Sequence, residues 1–152
     1  MKIESTKEKL LEIIQKVEKI TGKNLTLPIL SCIAFEASQG KVIVRSTNLD
    51  MGIECTLPAK ISEEGSVAIP GQVLLQFLSN LSQSEKVKIE LIDTTVSVLT
   101  EHTSTTIKTQ SYDDFPIIPK VEDGKNLVLN PKELVTGLRS VWYSAAVTSM
   151  KP

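Results

Sequence analysis

The order of its local patterns constrains this chain more than any single motif. Amphipathic helix patterns begin near residues 5, 71 and 131, and each of the first two is followed by a series of strand patterns. Similar spacing each time marks a repeated structural unit, visible in the pattern rather than in residue identity. Helices that bury one face alternate here with groups of short strands. The expected fold class is therefore α+β: two pseudo-symmetric units of a helix plus antiparallel strands, with the helices on one face of the sheet. A third helix pattern closes the chain with no strand after it, so the chain is expected to be the front part of a longer protein.

The first helix is predicted over residues 5 to about 20. Ser5 stands as N-cap with Glu8 three residues on, a capping box. Leu10, Ile13, Ile14 and Val17 share one face, and Thr21-Gly22 ends the pattern. Lys9, Glu12, Lys16 and Lys19 share the opposite face, with Lys23 just beyond. Pro28 opens an apolar run over residues 29–37, suited to a strand covered on both sides. Gln39-Gly40 is a tight turn. Val42 and Val44 alternate with polar residues, as do Ile53, Cys55 and Leu57. A short strand over residues 66–69 leads into Pro70. The second helix is predicted over residues 71–81, with Val73, Leu74, Phe77, Leu78 and Leu81 apolar and an uncharged polar side of Gln72, Gln76 and Ser79. Val87, Ile89 and Leu91 mark another strand, Asp93-Thr94 a turn, and Val96 and Val98 the next strand. Residues 103–109 are polar on both faces apart from Ile107, which suits an edge strand. Asn130 caps the third helix, Pro131 takes its first position and Glu133 completes the box. Leu134, Val135, Leu138, Val141, Trp142 and Ala145 form the face expected to be buried. The stretch SYDDFPIIPKVEDGKN, with prolines 116 and 119, is expected to be a domain boundary. It divides the chain into residues 1–122 and residues 123–152, a linker and the first helix of a second such domain.

Composition narrows the function classes. Aromatics are only 4% of 152 residues, so the core must rest on Leu, Ile and Val. A net charge of -1 argues against nucleic-acid binding through bulk charge and leaves a local basic stripe as the route. By pattern alone, the lysines of the first helix form a solvated surface face. Cys32 and Cys55 sit in strand-like apolar runs and are expected to be reduced thiols. The opening MKIESTKEKL has no apolar core of a secretory signal, and no apolar run approaches membrane-span length. His102, in EHTST, has no Cys or carboxylate cluster at ligand spacing. Asn48 and Asp50 are expected to shape a turn, Asp113 and Asp114 to serve the linker, and Met51 and Trp142 to lie in the core. No phosphate-binding glycine loop, dinucleotide fingerprint or nucleophile elbow is present in the sequence.

The stretches LTLPILSCIAFEA, TNLDMGIE, VAIPGQVLLQFLSNL and YDDFPIIP, in this order and at these separations, are similar to the N-terminal part of bacterial beta sliding clamps. Those are processivity subunits of the replicative DNA polymerase. The resemblance covers essentially the whole chain, and its specificity lies in the ordered set. It implies a chain of three similar domains, two chains closing head to tail into a ring around double-stranded DNA. Helices line the channel and sheets form the outer wall; no cofactor and no catalytic chemistry are implied, and the location is cytoplasmic. By resemblance, Lys9, Lys16 and Lys19 face phosphates. Lys23 and Asn24 occupy the place where the family has a basic residue before its TLPIL motif. Thr148, Ser149 and Lys151 occupy a DNA-touching loop, with Pro152 where an aromatic is expected. Val73, Phe77 and Leu81, with Thr105 and Ile107 on a neighbouring strand, form the ring interface, where Thr105 replaces a bulky apolar residue. Polymerase and clamp-loader peptides bind between domains two and three, outside this sequence. Two other classes stand as alternatives: a stand-alone interaction module using the edge at residues 103–109 for β-addition, and a small hydrolase or transferase built around His102 with Asp or Glu.

Overall fold

The computed structural model describes residues 1–22, 27–82, 86–119, 124 and 127–145. The chain forms two compact units, Met1–Ile118 and Pro119–Pro152. The division falls before Pro119, a few residues ahead of the expected boundary.

The first unit begins with a strand that the sequence pattern hid. β1 (Lys2–Thr6) precedes α1 (Lys7–Glu18). Ser5 is therefore not the helix cap. Its Oγ donates to the Pro58 carbonyl at 2.8 Å, and Thr6 takes the cap position without a side-chain hydrogen bond. A strand wins here because β1 pairs on both sides, with β5 (Lys60–Glu63) and β7 (Lys86–Ile92). Partners so distant in sequence leave no local trace, and β5 was likewise not expected. The apolar run from Pro28 splits into a 3-10 turn, Pro28–Ser31, and β2 (Cys32–Ser38). β3 (Lys41–Thr47), β4 (Gly52–Leu57) and β6 (Gly65–Pro70) follow. Positive φ at both Gln39 (49°) and Gly40 (73°) gives the β2–β3 hairpin the primed turn that matches strand twist. α2 (Gly71–Ser79), β7, β8 (Thr95–Leu99) and β9 (Ser104–Lys108) complete the unit.

The repeat is a strand, a helix and three strands, with β5 as an additional strand between the copies, and the two copies exchange their first strands. β1 belongs by sequence to the first copy but pairs with β7 of the second, in the sheet β5-β1-β7-β8-β9. β6 opens the second copy but pairs with β2 of the first, in the sheet β4-β3-β2-β6. Helices and strands thus form one antiparallel α+β body rather than two separable halves. α1 packs on α2 and on β1, β3 and β4. Leu10, Ile13, Ile14 and Val17 of α1, Leu74 and Leu78 of α2, Phe35, Ile69, Ile89 and Val98 share one core. Cys32 is buried and Cys55 half-buried, both free thiols.

In the second unit, α3 (Pro131–Val141) starts at Asn130, whose side chain accepts from the Lys132 amide at 3.0 Å. Its apolar face is not buried: Leu134, Val135, Leu138 and Val141 are 45% to 58% exposed and Trp142 is 74% exposed. Ala145 is exposed as well. An amphipathic stripe specifies which face would be buried but cannot supply the surface to cover it. Met51 is also exposed, at the tip of a turn in which the Asn48 Oδ1 accepts from the amides of Asp50 (3.1 Å) and Met51 (2.8 Å). The turn chemistry expected of Asn48 is present, and it holds Met51 outside the core.

Candidate nucleic-acid and subunit interface

α1 separates its two faces cleanly. Four of its five apolar side chains are sealed in the core, Leu11 is half-buried, and Lys9, Lys16 and Lys19 are exposed on the far side. Lys9 and Lys16 flank a groove between α1 and β4 that Glu12, Cys55, Thr56 and Pro58 also line. Lys16 Nζ meets Glu12 Oε1 at 2.6 Å, with Glu four residues N-terminal to Lys, the favoured orientation. This hydrogen bond holds the Glu12 carboxyl below its ordinary range and the Lys16 ammonium above its own. Both groups are fully solvated, so the pair is readily exchanged for another anion and contributes little to folding. Lys9 and Lys19 make no ion pair among the described residues. Glu8 is exposed beside them. The helix therefore presents three exposed cations diluted by carboxylates, an arrangement suited to loose attraction of a polyanion rather than to a tight, oriented grip.

Lys7 shows how much position matters. It lies two residues before Lys9 yet is buried, and its Nζ donates to the Leu81 carbonyl just past the end of α2. There the ammonium meets the carbonyl end of a helix, where a cation is favoured. No sequence signal distinguished it, because its partner lies 74 residues away.

The five residues expected at a ring interface divide. Val73 is 48% exposed, and Phe77 and Thr105 are half-buried. Leu81 and Ile107 are only 9% and 5% exposed, and belong to the chain's own core. Both side chains pack with the core of the first unit, beside the end of α2 and on β9. β9 is the terminal strand of its sheet, so one of its backbone edges is free of a full partner strand. Lys23, Asn24, Thr148, Ser149, Lys151 and Pro152 lie outside the described residues. His102 is exposed in a turn closed by Thr100, whose Oγ1 accepts from the Thr103 amide at 3.0 Å. Among the described residues, no three His, Cys, Asp or Glu side chains converge as a metal site would require. No described helix is long and apolar enough to cross a membrane.

Comparison with known proteins places this geometry among relatives. The family model for the N-terminal domain of the DNA polymerase III beta subunit matches residues 1–119. A beta sliding clamp of Buchnera aphidicola is 31% identical over 119 residues, 76% of this chain and 32% of the relative. One of Chlamydia muridarum is 22% identical over 135 residues, 88% of this chain and 37% of the relative. Among solved structures, a putative DNA polymerase III beta subunit from Eubacterium rectale superposes with a TM-score of 0.93 at 27% identity. It covers 99% of this chain, which spans 41% of that one. The chain thus spans well under half the length of the relatives it matches.

Proposed function

The chain belongs to the DNA polymerase III beta subunit family, matched through its N-terminal domain, and on that premise we propose that it forms the N-terminal part of a sliding clamp. In this reading it contributes one segment of a ring that encircles duplex DNA and tethers the replicative polymerase. It is an accessory subunit with no catalytic residues of its own and acts in the cytoplasm. The observation that carries the proposal is the division of α1 into a sealed apolar face and an exposed face bearing Lys9, Lys16 and Lys19. Lysines on flexible stems attract phosphates without reading bases. A ring that retains DNA by topology works best with contacts of this weakness, since tight ones would hinder sliding. Lys23 and Asn24, and Thr148, Ser149 and Lys151, extend the same DNA-facing set. A second chain joins head to tail against Val73, Phe77 and Leu81 at α2 and against Thr105 and Ile107 of β9. Polymerase and clamp-loader subunits bind through parts of the clamp beyond these residues.

The test is duplex binding by fluorescence anisotropy across a salt series, comparing the chain with a Lys9→Ala, Lys16→Ala, Lys19→Ala variant on several unrelated sequences. Binding is expected to be weak and equal for all sequences. The slope of log affinity against log salt should fall by about one for each phosphate contact removed. A variant with unchanged affinity and unchanged slope would sink the proposal for this face.

A further inference from the structure

Residues 110–118 leave β9 and return across the outer face of the four-stranded sheet. At the near edge, the Gln110 amide donates to the Ala68 carbonyl at 3.0 Å, pairing with the free side of β6. At the far edge, Ile118 covers Gly52, the first residue of β4. A Cβ at Gly52 would lie 2.9 Å from Ile118 Cγ2, so the glycine is what admits this side chain. Between these points Tyr112 reaches the sheet. Its hydroxyl donates to Glu36 Oε2 at 2.9 Å and accepts from an Arg45 guanidinium nitrogen at 3.0 Å. The Tyr112 and Phe115 rings stack with centroids 6.4 Å apart.

The sheet is shaped for this crossing. Along β2 and β6, Ile33, Phe35, Val67 and Ile69 point into the core, so Ala34 and Ala68 point outward, directly opposite each other. Both are nonetheless fully covered, at 1% and 0% exposure. The returning segment crosses this face, with the Gln110 amide on the Ala68 carbonyl, and alanines leave it room.

We infer that residues 110–118 form a strap that releases as a unit while both sheets stay folded, with Tyr112 as its latch. The attachments are few. Among the described residues, no backbone hydrogen bond ties residues 111–118 to the sheet; the one within them joins the Phe115 amide to the Tyr112 carbonyl at 2.9 Å. The receptor of the latch is self-sufficient. Arg45 keeps Glu36 and also Glu54, whose Oε2 accepts from Nε at 2.7 Å, when Tyr112 departs. Tyr112, Phe115 and Ile118 are only half-buried with the strap closed, so opening gives up only part of their apolar contact. With the strap closed, the rigid part of the first unit extends to Ile118; with it open, it ends near Gln110. The inference does not depend on the clamp assignment, because it concerns a movement within the first unit alone.

Amide hydrogen exchange on the whole chain tests it, followed at Gln110 and Phe115 and compared with β2 and β3. Both strap amides are expected to exchange through openings that low denaturant does not promote. Tyr112→Phe, which keeps the ring stack, should speed them at least about tenfold with β2 and β3 unchanged. Gly52→Ala perturbs the far anchor instead and is expected to act in the same direction on Phe115. The inference is overturned if the strap amides exchange only together with those of β2 and β3. It is equally overturned if neither variant changes their rates, or if Tyr112→Phe loosens the sheet as much as the strap.

Discussion

α1 and α3 carry the same kind of message and meet different fates. Both are amphipathic, with apolar residues at three- and four-residue spacing. In α1, Leu10, Ile14 and Val17 are 0% exposed, whereas Leu138 and Val141 of α3 are more than half exposed. The local signals run the other way. α3 has an Asn cap that makes its hydrogen bond and a proline at the first position, and α1 has no side-chain cap bond. A helix held by two sheets and a neighbouring helix can start where packing dictates. One without cover depends on its own ends. The difference teaches that periodicity reports the face a helix would bury, while capping reports how far it must stand alone.

That contrast can be broken by mutation. Ile14→Ala should cost the first unit about 2–5 kcal/mol, whereas Leu138→Ala should leave it within about 0.5 kcal/mol, by denaturant titration followed by circular dichroism. Equal losses would mean that α3 is packed after all. Within α1, Lys7→Met should cost about 1–3 kcal/mol through the unpartnered Leu81 carbonyl. Lys9→Met should leave the unfolding midpoint where it is, so a shared shift would place both lysines in the same environment. Capping gives the next smaller effect: Asn130→Ala should lower α3 stability by about 1 kcal/mol, read from helical amide exchange, and Thr6→Ala should barely touch α1.

Acid provides the finest test. The Arg45 guanidinium, and after it the Tyr112 hydroxyl, hold the Glu36 carboxyl below its ordinary range. A depressed folded-state value means that this contribution is present above the ordinary carboxylate range and fades as pH falls through the folded value. Strap exchange should therefore accelerate on acidification below that range, with intrinsic exchange rates taken into account. Glu36→Gln should flatten the response; an unchanged profile in that variant would assign the acid sensitivity to another group.

Much of this fold was legible because its causes are local. The hairpin at Gln39-Gly40, the Asn48 turn, the cap at Asn130 and the alternation in β3, β7 and β8 each depend on residues within a few positions. Ordered stretches such as YDDFPIIP carried the family likeness. The solvated Lys9, Lys16 and Lys19 were placed by helical spacing alone, since a helix whose apolar face is fixed has only one direction left for its lysines.

The remainder was decided across distance. β1 exists because β5 and β7 flank it, which turned an expected helix cap into a strand residue. Leu81 and Ile107 are buried with side chains far from them in sequence. Lys7 became a buried bridge between helices, two residues from a lysine left in water. Sequence determined most of the elements, their faces and the kinship of the chain, since these follow from neighbouring residues and their order. The tertiary structure alone chose the strand exchange, the strap over Ala34 and Ala68, and which apolar faces find cover, because each requires a partner that no local pattern can specify.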